Sequence, residues 1–533
     1  MRLAVAGAFI MVLGMYFGNK MNHNSGLRSA FDFPFSFRKS DKLEQIMKLI
    51  EERYVDSIDF AKLERNALEA ILKHLDPHSS YIPASEFKRM NANLKGRFDG
   101  IGIEFRMMND TVLTVLIAPG GPADQAGIQA GDKIIAIDGT PVSGQGMSSG
   151  SIVNLIRGPE GTTIQLEVLR YQTPDLLEFD VKRGKIPINS VEVSFMLNEH
   201  TGYIKVNRFA ATTHSEFVLA AGELKDQGMQ NLVLDLRNNG GGFLSQAISM
   251  ADEFLTRRQL IVYTEGYNYP KEEYFATSNG LFEEGELVVL INEGTASASE
   301  VLSGALQDLD RATIIGRRSF GKGLVQRQTI FPDGSALRLT IARYYTPLGR
   351  SIQKPYDQGT EVYFQELNRR LAQGEMYSLD SMDTNFPDSL KVITEGGKVL
   401  YGGGGILPDI FVPVDTVGTN AFYRDLYAND LVYQFAYRFI EDEMDSLSAY
   451  ESLEEFADTF VLPDSAFARL LDMAAEMNLN APQAEVTASA PLLKNQIKAL
   501  IARRFWRETG FYRVTLTRDQ AVLQALGVIG KEL

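Results

Sequence analysis

The spacing of apolar and polar residues divides the chain into stretches of different period. Leu43, Ile46, Met47 and Ile50 recur at helical intervals, and so do Leu63, Ala67, Ala70 and Ile71. Two amphipathic helices are therefore predicted, one starting at Asp41 and one over 58–74, the second stopped at Leu75-Asp76-Pro77. Two helices bury little alone, so they are expected to pack on the body of the protein or in a homodimer contact. Between 96 and 184 short β-rich runs at 102–106, 112–117, 133–137 and 164–169 alternate with glycine turns around one helical stretch at 149–155. From 190 to 414 strands at 202–206, 232–236, 286–292 and 313–315 alternate with helices at 214–227, 244–255 and 297–309. That alternation predicts an α/β domain with a largely parallel sheet. A hairpin over 324–331 and 336–345 follows, turning at Pro332-Asp333-Gly334. Beyond Asp415 the helical period returns, with Leu431, Phe435 and Phe439 in one run and Leu493, Ile497, Leu500, Ile501 and Phe505 in another; 478–490 between them reads as linker. The expected organisation is 1–25 targeting segment, 26–95 helical, 96–184 β domain, 185–415 α/β core and 416–533 helical.

Composition narrows the function. A chain of 533 residues with 44% apolar content can bury several cores. The net charge, 53 − 68 = −15, argues against nucleic acid as a partner, since phosphate backbones need a basic surface. With no cysteine, disulfides, thiolate metal sites and cysteine nucleophiles are excluded. The five histidines form no metal-spaced pair on a helix, because Pro77 separates His74 from His78; no metal is expected. Arg2 followed by an apolar run to Phe17 is a targeting segment. No Ala-x-Ala site follows, so an uncleaved signal-anchor is preferred over a cleaved signal. The expected location is a bacterial periplasm, with anchoring to the inner membrane.

The chemistry centres on Gly294-Thr295-Ala296-Ser297-Ala298-Ser299-Glu300, which follows the apolar run 286–292. A strand entering a small-residue turn and then a helix holds a serine hydroxyl out at the strand end, as nucleophile elbows do. Ser297 and Glu300 also have the form of a capping box, a reading compatible with the first. At 322 − 297 = 25 residues further on lies Phe320-Gly321-Lys322-Gly323. Serine needs a base, and a lysine serves when desolvation lowers its pKa. Lys322, Leu324 and Gln326 share a face of an extended run, so Gln326 can orient the amine. Taken singly, Lys322 is also a surface lysine in a glycine turn. Gly316 to Lys322 fits seven positions of a phosphate loop, but Gly323 replaces the required hydroxyl and no helix follows, so that reading is rejected. Asp235-Leu236-Arg237-Asn238-Asn239-Gly240-Gly241-Gly242 suits an oxyanion hole or an ordinary β–α turn.

Together these segments resemble the carboxy-terminal processing (tail-specific) serine proteases, a family with an inserted PDZ domain. The resemblance rests on Thr295 to Glu300, Phe320 to Gly323, Gln326, Asp235 to Asn239, Tyr344-Tyr345-Thr346-Pro347 with Gly349 to Gln353, and Gly405-Ile406-Leu407-Pro408-Asp409. It implies an α/β protease core with an inserted PDZ-like β domain and helical N- and C-terminal regions. It implies Ser297 as nucleophile, Lys322 as base, Gln326 as its support, and the N–H groups of Gly241 and Ala298 as oxyanion donors, with no cofactor. Gly100-Ile101-Gly102-Ile103 resembles the carboxylate-binding loop of a bacterial PDZ domain, which captures peptide C-termini at a sheet edge. Arg157 sits where some members couple PDZ docking to the active site; the alternative is a surface arginine. Asp76-Pro77-His78-Ser79-Ser80-Tyr81 is family-like and read as structural. The expected function is an exported endopeptidase acting on unfolded or tail-exposed proteins, with an adaptor or activator among its partners. The alternative is a catalytically silent PDZ scaffold for exported proteins.

Overall fold

The computed structural model describes residues 42–530 apart from 95, 278–279 and 382–386. The targeting segment expected over 1–25 lies outside the described residues, and no described helix is long and apolar enough to cross a membrane. The chain divides into two units, 1–68 and 69–533. In the first, the helix Lys42–Arg53 forms as its period predicts, but it buries no residue, and Leu43, Ile46 and Leu49 are exposed. The helix Phe60–Lys73 begins in this unit.

The second unit is built around a six-stranded sheet. Its strands, in spatial order, are Val191–Met196, Thr201–Val206, Asn231–Asp235, Leu287–Ile291, Thr313–Gly316 and Ile410–Phe411; all but the first run parallel. Successive side chains alternate between faces. Ile204, Leu234, Val289 and Ile314 meet the helices Thr213–Asp226, Leu244–Asp252 and Ala298–Asp308. Tyr203, Val233, Val288 and Ile315 meet the helix Gln520–Ile529. Both faces are covered, which is why these strands read as unbroken apolar runs.

Against this layer lies a second sheet, in which Ala336–Tyr345 pairs with Leu324–Ile330 on one side and with Ser80–Ile82 and Leu260–Gly266 on the other. Three of its features are not predicted by periodicity. Ser80–Ile82 is a strand in a region expected to be helical. The strands Leu260–Gly266 and Tyr269–Phe275 form a bulged hairpin whose second half is largely polar. The helix Thr360–Ala372 packs beside the lysine loop.

The inserted β domain is a six-stranded antiparallel sheet, Ile103–Met108, Thr111–Ile117, Lys133–Ile137, Thr163–Leu169 and Leu177–Lys182 in spatial order with the short Thr140–Pro141 paired to Lys133–Ile137, and the helix Ser149–Ile156 packs on its core. The ribbon Arg97–Gly100 with Gly184–Pro187 closes it at the point of insertion.

The helices from 421 to 515 enclose a separate core around Phe435, Phe456, Leu470, Leu493 and Ile497. Here one expectation is corrected: 478–490 is not linker throughout, because helix Gln483–Thr515 starts within it. Its first turns are alanine-, serine- and threonine-rich, so they carry no apolar stripe, yet Val486 and Ser489 are buried. Trp506 and Arg507 leave helical geometry, so the element bends there.

Candidate active site

Ser297 lies just past the carboxyl end of the parallel strand Leu287–Ile291, where open α/β sheets place their ligands. Its backbone is at φ 59°, ψ −117°, the strained left-handed turn of an elbow, and Ala298 begins a wholly buried helix. The turn is held from beside it. The carbonyl of Asn239 accepts from the N–H of Ala296 (3.0 Å) and from Ser299 Oγ (2.9 Å). Thr295 Oγ1 donates to the carbonyl of Leu236 (2.9 Å), and Asn292 Oδ1 accepts from the N–H of Asn238 (2.8 Å).

Gly241 faces this turn at φ +94°. A Cβ there would come within 2.8 Å of Ser297 Cβ and 2.9 Å of the Ala298 nitrogen, so only glycine fits. The structure thus brings together the two residues expected as oxyanion donors. Ala298 heads a helix, where N–H groups lack intrahelical acceptors. The N–H of Gly241 is held by Asn239 Oδ1 (2.9 Å) in this state.

The lysine loop joins the serine turn through Glu300. One carboxylate oxygen accepts from Ser319 Oγ (2.5 Å) and the N–H of Gly321 (2.7 Å). The other accepts from the N–H groups of Ser297 and Lys322, each at 2.8 Å. Burial pushes the Glu300 carboxyl up, and these four donors oppose that. The glutamate foreseen as half of a capping box therefore also fixes the backbone of Lys322 against that of Ser297.

Lys322 Nζ donates to Gln326 Oε1 (3.0 Å), as the shared strand face predicts. Burial, helped by the charge of Arg338, lowers its ammonium to about 8, while Glu300 and Asp76 pull the other way. The amide of Gln326 is oriented in turn, its Nε2 donating to the carbonyl of His78 (2.7 Å). His78 is carried by a turn that Asp76 knits together. Asp76 Oδ1 accepts from the N–H groups of His78 (2.8 Å) and Ser79 (2.9 Å) and from Thr340 Oγ1 (3.0 Å). The His78 ring meets Tyr363 OH at 2.9 Å, and burial together with the charge of Lys322 lowers it to about 4, so it is neutral. The buried phenol of Tyr344 lies beside Ser297; burial pushes it up to about 12, with the Ser297 side chain opposing.

Beneath the loop 235–241 runs a chain of charges. The carboxylate of Asp235 is fully buried, which pushes its pKa up, yet Arg237 and Lys205 hold it well below the usual range. Arg237 donates to Asp235 (2.6 Å) and, with its other nitrogen, to Asp519 at the start of the helix Gln520–Ile529 (2.8 Å).

In the β domain Gly102 takes φ +80°, and Ile101 is buried, its carbonyl accepting from Ala123 (2.9 Å). Among the described residues Ile103–Met108 pairs with Thr111–Ile117 alone, leaving its other edge without a strand partner beside the loop Gly100 to Ile103. Arg157 follows the helix Ser149–Ile156 and lies over the Phe98 ring at 4.9 Å; its contact is within the β domain rather than at Ser297.

Sequence reasoning missed the reach of Glu300, the carbonyl of His78 and the phenol of Tyr344. Asp76 to Tyr81 and Tyr344 stood in motifs already noted, but only the pairing of distant strands shows what they touch.

Residues 200–361 match peptidase family S41, 115–170 match the PDZ domain, and 422–507 match a family of unknown function. The chain is 41% identical over 325 residues to the carboxy-terminal-processing protease of Bartonella bacilliformis, covering 60% of this chain and 73% of that protein. It is 36% identical over 315 residues to a probable CtpA-like serine protease of Staphylococcus haemolyticus, covering 58% of this chain and 62% of that one. Among solved structures it is similar to the photosystem II D1 C-terminal processing protease, with 30% identity, coverage of 59% and 90%, and a TM-score of 0.34. The chain belongs to peptidase family S41, the carboxy-terminal-processing proteases. It is a serine-type endopeptidase of that class with a PDZ domain inserted ahead of its catalytic core.

Proposed function

We propose that this protein hydrolyses peptide bonds through Ser297 as nucleophile and neutral Lys322 as base, with Gln326 orienting the amine. The observation that carries the reading is the Glu300 bridge. One buried carboxylate holds an elbow serine and a lysine whose ammonium is lowered to about 8 on adjoining backbones. Ser297 Oγ attacks the substrate carbonyl carbon while Lys322 Nζ takes its proton. The N–H groups of Ala298 and Gly241 receive the oxyanion, once the side chain of Asn239 gives up the second of them. Collapse breaks the C–N bond, and Lys322 returns the proton to the leaving amine. Water, deprotonated by Lys322 Nζ, then attacks the Ser297 ester; the acyl C–O bond breaks, the acid product leaves, and Lys322 returns the proton to Ser297 Oγ.

Substrates are exported proteins with an unstructured, apolar C-terminal tail. The tail adds to the open edge of Ile103–Met108, and its carboxylate meets the loop Gly100 to Ile103. The enzyme works in a bacterial periplasm, held at the inner membrane by the apolar segment after Arg2. The exposed apolar face of Lys42–Arg53 suits a homodimer or an adaptor. The reaction needs no cofactor.

The test follows cleavage of a tailed substrate against pH. Activity should rise as Lys322 loses its proton near pH 8 and fall by at least about 10³-fold in Ser297→Ala and Lys322→Ala. Binding of tail peptides without cleavage by the unaltered protein would favour the silent scaffold.

A further inference from the structure

The helices matching a family of unknown function have a place in this molecule that suggests their task. We propose that the region 422–507 is the dock of the PDZ domain: it grips the back of the tail-receiving strand and fixes that strand's distance from the catalytic centre. The inference rests on the reading of the PDZ domain as the tail receptor.

The argument begins with the alternation of Ile103–Met108. Ile103, Phe105 and Met107 turn inward and pack on the PDZ core. Glu104 and Arg106 turn the other way, and both are taken by the helical region. Arg106 pairs with Asp430 at 2.6 Å and stacks over the ring of Tyr433 at 3.5 Å. Glu104 pairs with Arg503 at 3.0 Å. Next to them Asn109 donates to Gln434 (3.0 Å). The hydrogen-bonding edge of the strand lies at right angles to these contacts and remains open. A peptide can add to the strand while its back is held.

The grip continues into the core. The element carrying Arg503 bends at Trp506 and Arg507, and the Arg507 side chain donates to the carbonyl of Ile117 at the end of the neighbouring PDZ strand (3.2 Å). Past the bend, Tyr512 donates to Glu192 (2.8 Å) and Arg513 to the carbonyl of Met196 (2.8 Å), on the first strand of the protease sheet. One bent helix thus touches the PDZ strand pair before its corner and the catalytic sheet after it. A docked receptor presents its captured tail at a fixed reach, which raises the effective concentration of the scissile segment at the active site.

The test uses the full chain. Asp430→Arg with Arg503→Glu sets like charges against Arg106 and Glu104; adding Arg106→Asp and Glu104→Arg restores opposite charges. The probes are a small protein bearing an unstructured tail that ends in Val-Ala-Ala, the same tail as a free peptide, and a short peptide substrate with a blocked C-terminus. The undocked pair should raise KM for the tailed protein by about tenfold or more. Turnover of the blocked peptide and Kd of the free tail should stay within about twofold, and the fourfold swap should bring KM back. Unchanged or improved cleavage of the tailed protein by the undocked pair would overturn the proposal, as would failure of the swap to restore it. If the unaltered protein cleaves neither substrate, the protease reading fails and the dock is judged by hydrogen exchange. Faster exchange across 103–108 in the undocked pair, reversed by the swap, supports it; unchanged exchange overturns it.

Discussion

The two sides of the proposed Ser297–Lys322 site, a nucleophile side and a base side, are built differently. The nucleophile side is local: a strand, a tight turn and a helix contributed by consecutive residues from 287 to 308, with the loop at 235–241 beside them. The base side is assembled from afar. Lys322 takes its place through Glu300, Gln326 and, behind Gln326, the carbonyl of His78 on a turn ordered by Asp76. The local side keeps its shape through backbone geometry and close packing. The assembled side depends on single hydrogen bonds between segments. Substitutions on the two sides should therefore leave different kinetic signatures.

The largest effect is expected where the sides meet. Glu300→Gln turns an amide N–H toward donors that a carboxylate accepted. Turnover should fall by about 10²–10³-fold and stability by about 2–4 kcal/mol, read by steady-state kinetics and calorimetry. Near-normal turnover in a stable variant would mean that the two sides need no bridge. Next is Asp76→Asn, which loosens the base side alone and should lower kcat by about tenfold. It also removes a negative charge that favours the ammonium of Lys322, so the rising limb of the pH–rate profile should move below about 8. A limb that stays in place or moves up would detach Asp76 from the lysine. Asp519→Asn acts under the oxyanion side, and a loss of roughly three- to tenfold in kcat is expected with no movement of the limb. A displaced limb would show that the sides are not separable. The smallest change is Arg338→Met. Losing this positive neighbour should shift the limb above about 8 and leave the high-pH plateau intact.

This contrast also explains what could be read in advance. Ser297, its strand and its helix follow from a single run of residues, and Gln326 from a two-residue period. The loop Gly100 to Ile103 is legible only through its resemblance to a PDZ carboxylate-binding loop, and the edge position of Ile103–Met108 comes from the sheet pairing. The roles of Glu300, His78 and Tyr344 need contacts across 22, 248 and 47 residues, counting 322 − 300, 326 − 78 and 344 − 297. No local pattern encodes those contacts. The hairpin Leu260–Gly266 with Tyr269–Phe275 was missed because its polar half is held by pairing rather than by an apolar face. The start of Gln483–Thr515 was missed because small residues pack without advertising a stripe.

The pairing of Arg237 with Asp519 spans 282 residues. A polypeptide leaves the ribosome from its N-terminus, so Ser297 and Lys322 are synthesised well before the carboxylate that completes the charge chain under the oxyanion loop; Lys322 precedes it by 519 − 322 = 197 residues. Until that last helix arrives, Arg237 lacks one partner and one face of the catalytic sheet stands uncovered. The order of translation thus sets an order of assembly: the charge chain under the loop 235–241 closes only after the helix Gln520–Ile529 has been made.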